Sequence, residues 1–304
     1  MALVPGQDPI QPATKPRLYV VATSHLDTQW RWTIQTTIRH FLRRTLLDNF
    51  ERMRSSPGYV LSFEGAFRYQ LVEEYYPEEF QELLRLVREK RWRPAGAMLE
   101  APDTNLPSPE SLIRHILYGN GYFEAKLGCR CVDLFLPDCF GFPWSLPTVA
   151  AHCGIKGFSS QKLGRWRSPA TIPFDIGLWE GPDGSRIVAV LNPGGYASPL
   201  REDLSRSPTW RRRLETKHRE IGVNFGYKYF GVGDRGGAPD RTSLDYLEQS
   251  LDGSGDIEVI HAGSDQLFRD LSSEDRDKLP IHRGDLLLPT HGTGCWTKIG
   301  RAHV

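Results

Sequence analysis

The chain has 304 residues, 39% apolar and 25% charged, with 38 Lys+Arg against 37 Asp+Glu and a formal net charge of +1. That size suits one large α/β domain with a sizeable core, and the charge balance gives no ground for nucleic acid or an anionic membrane surface as partner. No run approaches a transmembrane span, and five cysteines, an odd number without convincing disulfide or zinc-knuckle spacing, favour a reducing, cytoplasmic setting, with secretion or the periplasm left open.

Residues 1–16 contain Pro5, Pro12 and Pro16, show no periodicity and lack the basic start and apolar run of a signal peptide; they are read as an extended arm, with one domain over 17–304. An apolar run at 18–22 predicts the first strand. Behind it, Ile34, Ile38, Phe41, Leu42, Phe50 and Met53 recur at helical spacing over 33–53. Residues 59–63 predict a strand ending at Glu64 and Gly65. Helices follow at 67–75 and from Pro77, where proline suits a first turn. After an apolar stretch at 94–99, Ser108 is placed to cap a helix starting at Pro109. Strands are expected at 132–136 and 155–159, with a short helix at 147–152 between them. Residues 174–180 and 186–191 flank a GPDG turn and predict a hairpin that interrupts the parallel order. The remainder reads as helix at 210–221, strand at 227–232, helix at 243–251, strand at 257–261 and a short helix from 265. Alternating strands and helices of this spacing predict an α/β fold, a seven-stranded barrel-like parallel sheet with surrounding helices.

Polar motifs follow these strands: SHLD at 24–27, APDTN at 101–105, PDCFG at 137–141 and GVGDRGG at 231–237, with THGTG near the end. His25, Asp27, Asp138 and His291 form a set of two imidazoles and two carboxylates, a donor set suited to one divalent ion, zinc above others. Their scattered positions make spacing alone a weak signal; a capping histidine and a turn aspartate explain His25 and Asp27 equally well. There is no G-x-S-x-G elbow, and the glycine-rich segment matches neither a dinucleotide fingerprint nor a Walker A loop. The cysteines at 139 and 295 are read as small packing residues.

Taken in order, SHLDTQW with WTIQTTIR, FEGAFRY, APDTNLPSPESLIRH, LPDCFGFPWSLP, GVGDRGGAP and THGTGCWTK resemble the N-terminal catalytic domain of glycoside hydrolase family 38, the class II α-mannosidases, especially the bacterial branch. The likeness runs from about Arg17 to Lys298. It implies a retaining hydrolase of terminal α-mannosidic bonds, acting on an α-mannoside or a mannose-containing glycan with one divalent ion, usually zinc. By matching motif, His25, Asp27, Asp138 and His291 hold the ion, and Asp138 is also the nucleophile that forms a covalent mannosyl-enzyme. Asp234 is the acid/base candidate, against a plain turn role. Trp30 is assigned to a sugar-stacking wall. Asp103 is assigned to a hydroxyl or to bracing the ion's ligands, and Asp27 to the substrate as well as the ion.

Phe142 stands where many family members carry histidine, which removes a polar contact near Asp138, and Lys298 replaces a common small hydroxyl residue. Family members continue for several hundred residues into helical and β-rich regions that help close the site and support oligomers. The expectation here is a truncated catalytic domain, compatible with a homo-oligomer. Two other readings stay open: a metal-dependent carbohydrate deacetylase, recognised by release of acetate, and a weakly active or non-catalytic carbohydrate-binding fragment.

Overall fold

Strand β1 (Arg17–Ser24) forms at the apolar run expected there and is the spine of the molecule; the computed structural model describes residues 15–165 and 172–288. Leu18, Val20 and Ala22 join one buried cluster, and Tyr19 and Val21 join another. Burial of both faces is what a parallel strand covered by helices requires. β8 (Phe225–Val232) pairs with β1 in parallel along its whole length. The other edge of β1 is shared between β9 (Glu258–His261), which takes residues 17–20, and β2 (Leu61–Glu64), which takes Ala22 and Thr23. His261 sits at that handover, with Nδ1 2.9 Å from the Val20 carbonyl and Nε2 accepting the Val60 N–H at 2.9 Å. β3 (Trp92–Ala95) extends β2, giving a five-stranded, all-parallel sheet.

The second sheet also has five strands: β10 (Ile281–Arg283), β6 (Ile176–Glu180), β7 (Arg186–Val190), β5 (Gly157–Ser159) and β4 (Asp133–Phe135), in that order. The β6–β7 pair is the predicted hairpin and is antiparallel.

The expected seven-stranded barrel-like parallel sheet is therefore corrected to two separate five-stranded sheets, one of them mixed. The seams between them show why the ladder stops. Between β3 and β4, Ala97 donates to the Asp133 carbonyl at 2.8 Å, but the neighbouring Gly96 N–H goes to the Asp133 side chain at 3.2 Å. A carboxylate there takes the place of a ladder carbonyl. Gly96 has φ +68, and a Cβ on it would lie 3.0 Å from the Phe135 amide nitrogen, so the chain turns in a way that favours glycine. At the other seam Tyr229 donates to Pro193 at 2.8 Å, and proline has no N–H to return.

The helices appear where periodicity placed them, with two differences, one being that helix Pro109–Tyr122 runs on as a π-helix over Phe123–Leu127. The single helix expected over 33–53 is α-helical at Ile34–Thr36, widens to a π-helix at Thr37–Leu42, and resumes as α-helix over Arg43–Ser55. Such widening is frequent near functional sites. Here it accompanies Thr37, whose hydroxyl donates to the Thr28 carbonyl at 2.8 Å. Ser108 caps helix Pro109–Tyr122 by accepting the Ser111 N–H at 3.2 Å. Among the described residues no helix is long and apolar enough to cross a membrane.

Candidate functional site

The polar motifs converge beyond the C-terminal ends of the strands, where open parallel sheets present their ligand crevice. The β1–β8 pairing continues into both loops. His25 donates its N–H to the Val232 carbonyl at 3.1 Å, Asp27 to Asp234 at 2.8 Å, and Gly236 returns to His25 at 3.1 Å. The backbone at His25, Asp27 and Asp234 is thus fixed by main-chain bonds. Asp234 has φ +59, a left-handed conformation that aspartate tolerates better than most residues. Gly233 next to it admits no side chain, since a Cβ would sit 2.0 Å from the Tyr196 ring.

His25 is buried, and its Nδ1 contacts the Glu64 carboxylate at the end of β2. Its Nε2 faces Asp27 Oδ1 at 3.4 Å and Asp138 Oδ2 at 3.9 Å, yet makes no hydrogen bond. Burial works against a charge on this ring, but Glu64, Asp27 and Asp138 outweigh it and raise its pKa to about 10. His25, Asp27 and Asp138 each bring one donor atom within 4.8 Å of the others, a group able to hold a metal ion. The fit is good. A buried imidazole nitrogen without a partner points between two carboxylates, while the other ring nitrogen is fixed by a third, the usual carboxylate–histidine–metal arrangement.

Asp138 follows β4 and is engaged on both oxygens. Oδ1 takes the Lys162 ammonium at 2.6 Å and the Tyr196 hydroxyl at 2.9 Å; Oδ2 faces His25. Tyr196 also reaches Asp234 Oδ1 at 3.2 Å, so one phenol bridges the two aspartates. Burial, and then Asp138 and Asp234, push the Tyr196 pKa upward and keep it a donor.

Beside this cluster lies a cavity of about 300 Å³ whose wall includes His25, Asp27, Thr28, Arg68, Glu100 and Asp103. Asp103 lines the cavity and also closes its own loop by accepting the Asn105 N–H at 3.0 Å. Arg68, 2% exposed, links the walls: Nε donates to the Leu26 carbonyl at 2.6 Å and Nη1 pairs with Glu100 at 2.9 Å. Trp30 is 51% exposed, carries the Arg31 guanidinium over its ring at 4.4 Å, and is not part of the wall. His291 and the rest of THGTGCWTK, with Cys295 and Lys298, lie outside the described residues. Phe142, in place of histidine, is fully buried edge-on to Phe158 at 4.7 Å and exchanges two backbone bonds with Leu286, both 2.9 Å. Cys139 is buried, and burial followed by Asp138 raises its thiol pKa well up, as a packing residue requires.

The structure thus brings His25, Asp27, Asp138 and Asp234 together and adds Glu64, Lys162 and Tyr196, which the sequence did not single out. Glu64 had a signal, a charged residue closing an apolar strand within FEGAFRY. Lys162 and Tyr196 sit in segments with no motif of their own, and only the fold brings them to Asp138.

The retaining route through a covalent mannosyl-aspartate, implied by the resemblance, is corrected. The Asp138 carboxylate that the structure presents is already committed to Lys162, Tyr196 and the ion cluster. What these contacts support is a group able to hold a metal ion, with no intermediate assigned to Asp138.

Comparison with known proteins places the chain in a family. Residues 15–285 match the model of the "Glycosyl hydrolases family 38 N-terminal domain". The chain is 30% identical over 277 residues to human "Alpha-mannosidase 2C1", covering 90% of this chain and 26% of that protein. It is 29% identical to "Alpha-mannosidase G" of Dictyostelium discoideum, covering 90% and 25%. The chain therefore spans about a quarter of the length of these curated relatives. Among solved structures it resembles an α-mannosidase from Enterococcus faecalis V583, with a TM-score of 0.67 and 20% identity, covering 90% of this chain and 31% of that one. It shares its fold more distantly with a putative polysaccharide deacetylase from Mycobacterium smegmatis, with a TM-score of 0.56 and 14% identity over 93% of this chain and 99% of that one. A match over residues 15–285, most of the chain, shows that the chain belongs to glycosyl hydrolase family 38.

Proposed function

We propose that this chain is the ion-binding catalytic core, over residues 17–304, of an enzyme that cleaves terminal α-mannosidic bonds. The observation that carries the reading is the buried His25 Nε2, left without a hydrogen-bond partner between Asp27 and Asp138 while Glu64 holds Nδ1. His25, Asp27, Asp138 and, by motif, His291 hold one divalent ion, with zinc favoured by the nitrogen and oxygen donors. An ion bound there supplies Lewis-acid polarisation of the sugar's hydroxyl oxygens.

The chain's own residues do the rest. Glu64 fixes the tautomer and orientation of His25. Lys162 offsets part of the negative charge that Asp27 and Asp138 place at the mouth of the cavity. Tyr196 has one hydrogen to donate, so it cannot donate to both aspartates at once. Asp234, 3.2 Å from the Tyr196 hydroxyl, is the group assigned to deliver a proton to the leaving oxygen, with Tyr196 holding the carboxylate in place. Asp103 binds a sugar hydroxyl from the cavity wall, and Trp30 offers a ring at the rim for a neighbouring sugar face. A cavity of about 300 Å³ is at the small end for ligand sites and suits one terminal sugar residue. Four unpaired cysteines among the described residues accord with a reducing, cytoplasmic setting.

The test is metal analysis of the purified protein coupled to hydrolysis of an aryl α-mannoside with and without chelator. Stoichiometric metal, loss of turnover on chelation and recovery on adding zinc are expected. Turnover that survives complete metal removal would overturn the reading.

A further inference from the structure

At the opposite end of the sheets, where β3 begins and the chain leads into β4, lies a second cavity of about 310 Å³. Its charged lining is Arg88, Lys90, Arg93, Arg130 and Arg269 against Asp265 alone. Asp265 pairs with both Arg93 at 3.2 Å and Arg269 at 2.6 Å, which leaves that trio one charge positive. Arg130 is offset by Glu124 at 3.3 Å. Among the described residues neither Arg88 nor Lys90 has a carboxylate within ion-pair distance, and both are exposed. The trio, Arg88 and Lys90 therefore leave a surplus of three positive charges.

A plainer account is that these cations complement helix ends. Helix Pro77–Arg88 and the π-helix Phe123–Leu127 both terminate at this cavity. Each carbonyl end is worth roughly half a negative charge, so together they cancel about one of the three. About two remain. Cys129 adds no negative charge, because burial above all raises its thiol pKa. Lys90 itself has φ +60, in the left-handed region at a helix C-terminus where glycine is the common choice. A lysine is kept there at some backbone strain, with its cation at the rim of the cavity.

We propose that this cavity binds a phosphate dianion, either free phosphate or the monoester of a small metabolite. The charge surplus matches a dianion, and guanidinium groups offer the forked donors that phosphate oxygens accept. A longer polyanion fits less well, since the formal net charge of the whole chain is only +1 and the cations are gathered at one concave site. The site lies away from the ion cluster and does not rest on the mannosidase reading.

The test is calorimetric titration of the full chain with inorganic phosphate, at an ionic strength held constant with chloride, alongside the double variant Arg88→Gln/Lys90→Gln. Both residues are exposed and make no ion pair among the described residues, so the variant keeps its melting temperature. The expected result is one saturable phosphate site that chloride does not compete for, weakened about tenfold or more in the variant. A hexose 6-phosphate titrated in parallel separates the two sources. Tighter binding than inorganic phosphate assigns the monoester, and equal binding assigns the free ion. Phosphate no better than chloride, or binding unchanged in the variant, overturns the proposal; the second outcome would place the phosphate elsewhere, including at the ion cluster.

Discussion

β1 and β8 are paired over eight positions, whereas β4 and β5 share three. The consequence appears at the site. Just past β1 and β8 an antiparallel Leu26–Arg235 bridge joins the two loops, so the backbone of SHLD is located by main-chain bonds. After β4 the backbone bonding reaches only Leu136, whose N–H donates to the Ser159 carbonyl at 3.1 Å, and among the described residues Asp138 is held by side chains, Lys162 from beyond β5 and Tyr196 from beyond β7. The ion cluster therefore straddles two sheets held in different ways. One half is stiff because backbone hydrogen bonds repeat along a long ladder. The other depends on a few polar contacts around one aspartate. Substitutions among the side chains of the second sheet should alter the site with little effect on the fold, while changes in the first sheet should affect both.

The sharpest test of that difference is Asp138→Ala, which removes the ion ligand proposed for the second sheet. It should lower kcat/KM on an aryl α-mannoside by about a thousandfold or more, as expected for loss of a principal electrostatic group. The melting temperature should be measured alongside, because buried Lys162 loses the carboxylate it pairs with at 2.6 Å. An unchanged rate would break the assignment. Glu64→Gln acts in the first sheet, one step removed from the ion. A retained amide keeps the shape but weakens its hold on the His25 ring, and zinc affinity should fall by about 10- to 100-fold in a competition titration.

The first sheet should also respond to pH at its own junction. Burial lowers the His261 pKa from 6.5 to about 4, against smaller opposing effects of its bonds to Val20 and Val60. The unfolded chain then takes up this proton more readily than the folded one. The contribution is fully present above about pH 6.5 and is lost as pH falls towards 4. A fully buried ring would give about 3 kcal/mol at most, and some remaining exposure of His261 reduces that to about 1–3 kcal/mol. Urea unfolding at several pH values should show this loss, and His261→Gln should flatten it. If the variant titrates like the parent, the junction is not pH-sensitive. The smallest effect is expected at Ser108→Ala, in the crossover helix between the two sheets. Loss of the cap should cost about 1 kcal/mol in the same assay without changing zinc affinity.

Much of this was legible in the sequence because it depends on local rules. Helix Pro77–Arg88 starts at its proline and buries Phe80, Leu83 and Val87 as the spacing requires. Ser108 caps, GPDG turns a hairpin, and the apolar run at 18–22 lies within β1. The π-helical stretch at Thr37–Leu42 was not legible, since it keeps the same apolar stripe and differs only in which carbonyl each N–H meets. Sheet closure was missed for a similar reason. Strand count and spacing are local, whereas the seams turn on whether one amide finds a ladder carbonyl or, at Gly96, the Asp133 side chain. At the site, Asp27 and Asp138 were found because each stands in a motif just past a strand. Trp30, assigned from its motif, is exposed beside Gln29 of the cavity wall and does not itself line it.

The sequence alone determined the family, the order of strands and helices, and three residues of an ion cluster, because those follow from short-range patterning and motif. Tertiary structure decided the rest. It left His25 Nε2 buried without a partner, gave Asp138 to Lys162 and Tyr196, and set five basic side chains around one aspartate at the far end of the sheets. Residues 58 positions apart, as Asp138 and Tyr196 are, become neighbours only when strands pair, and no periodicity along the chain records which strands those will be.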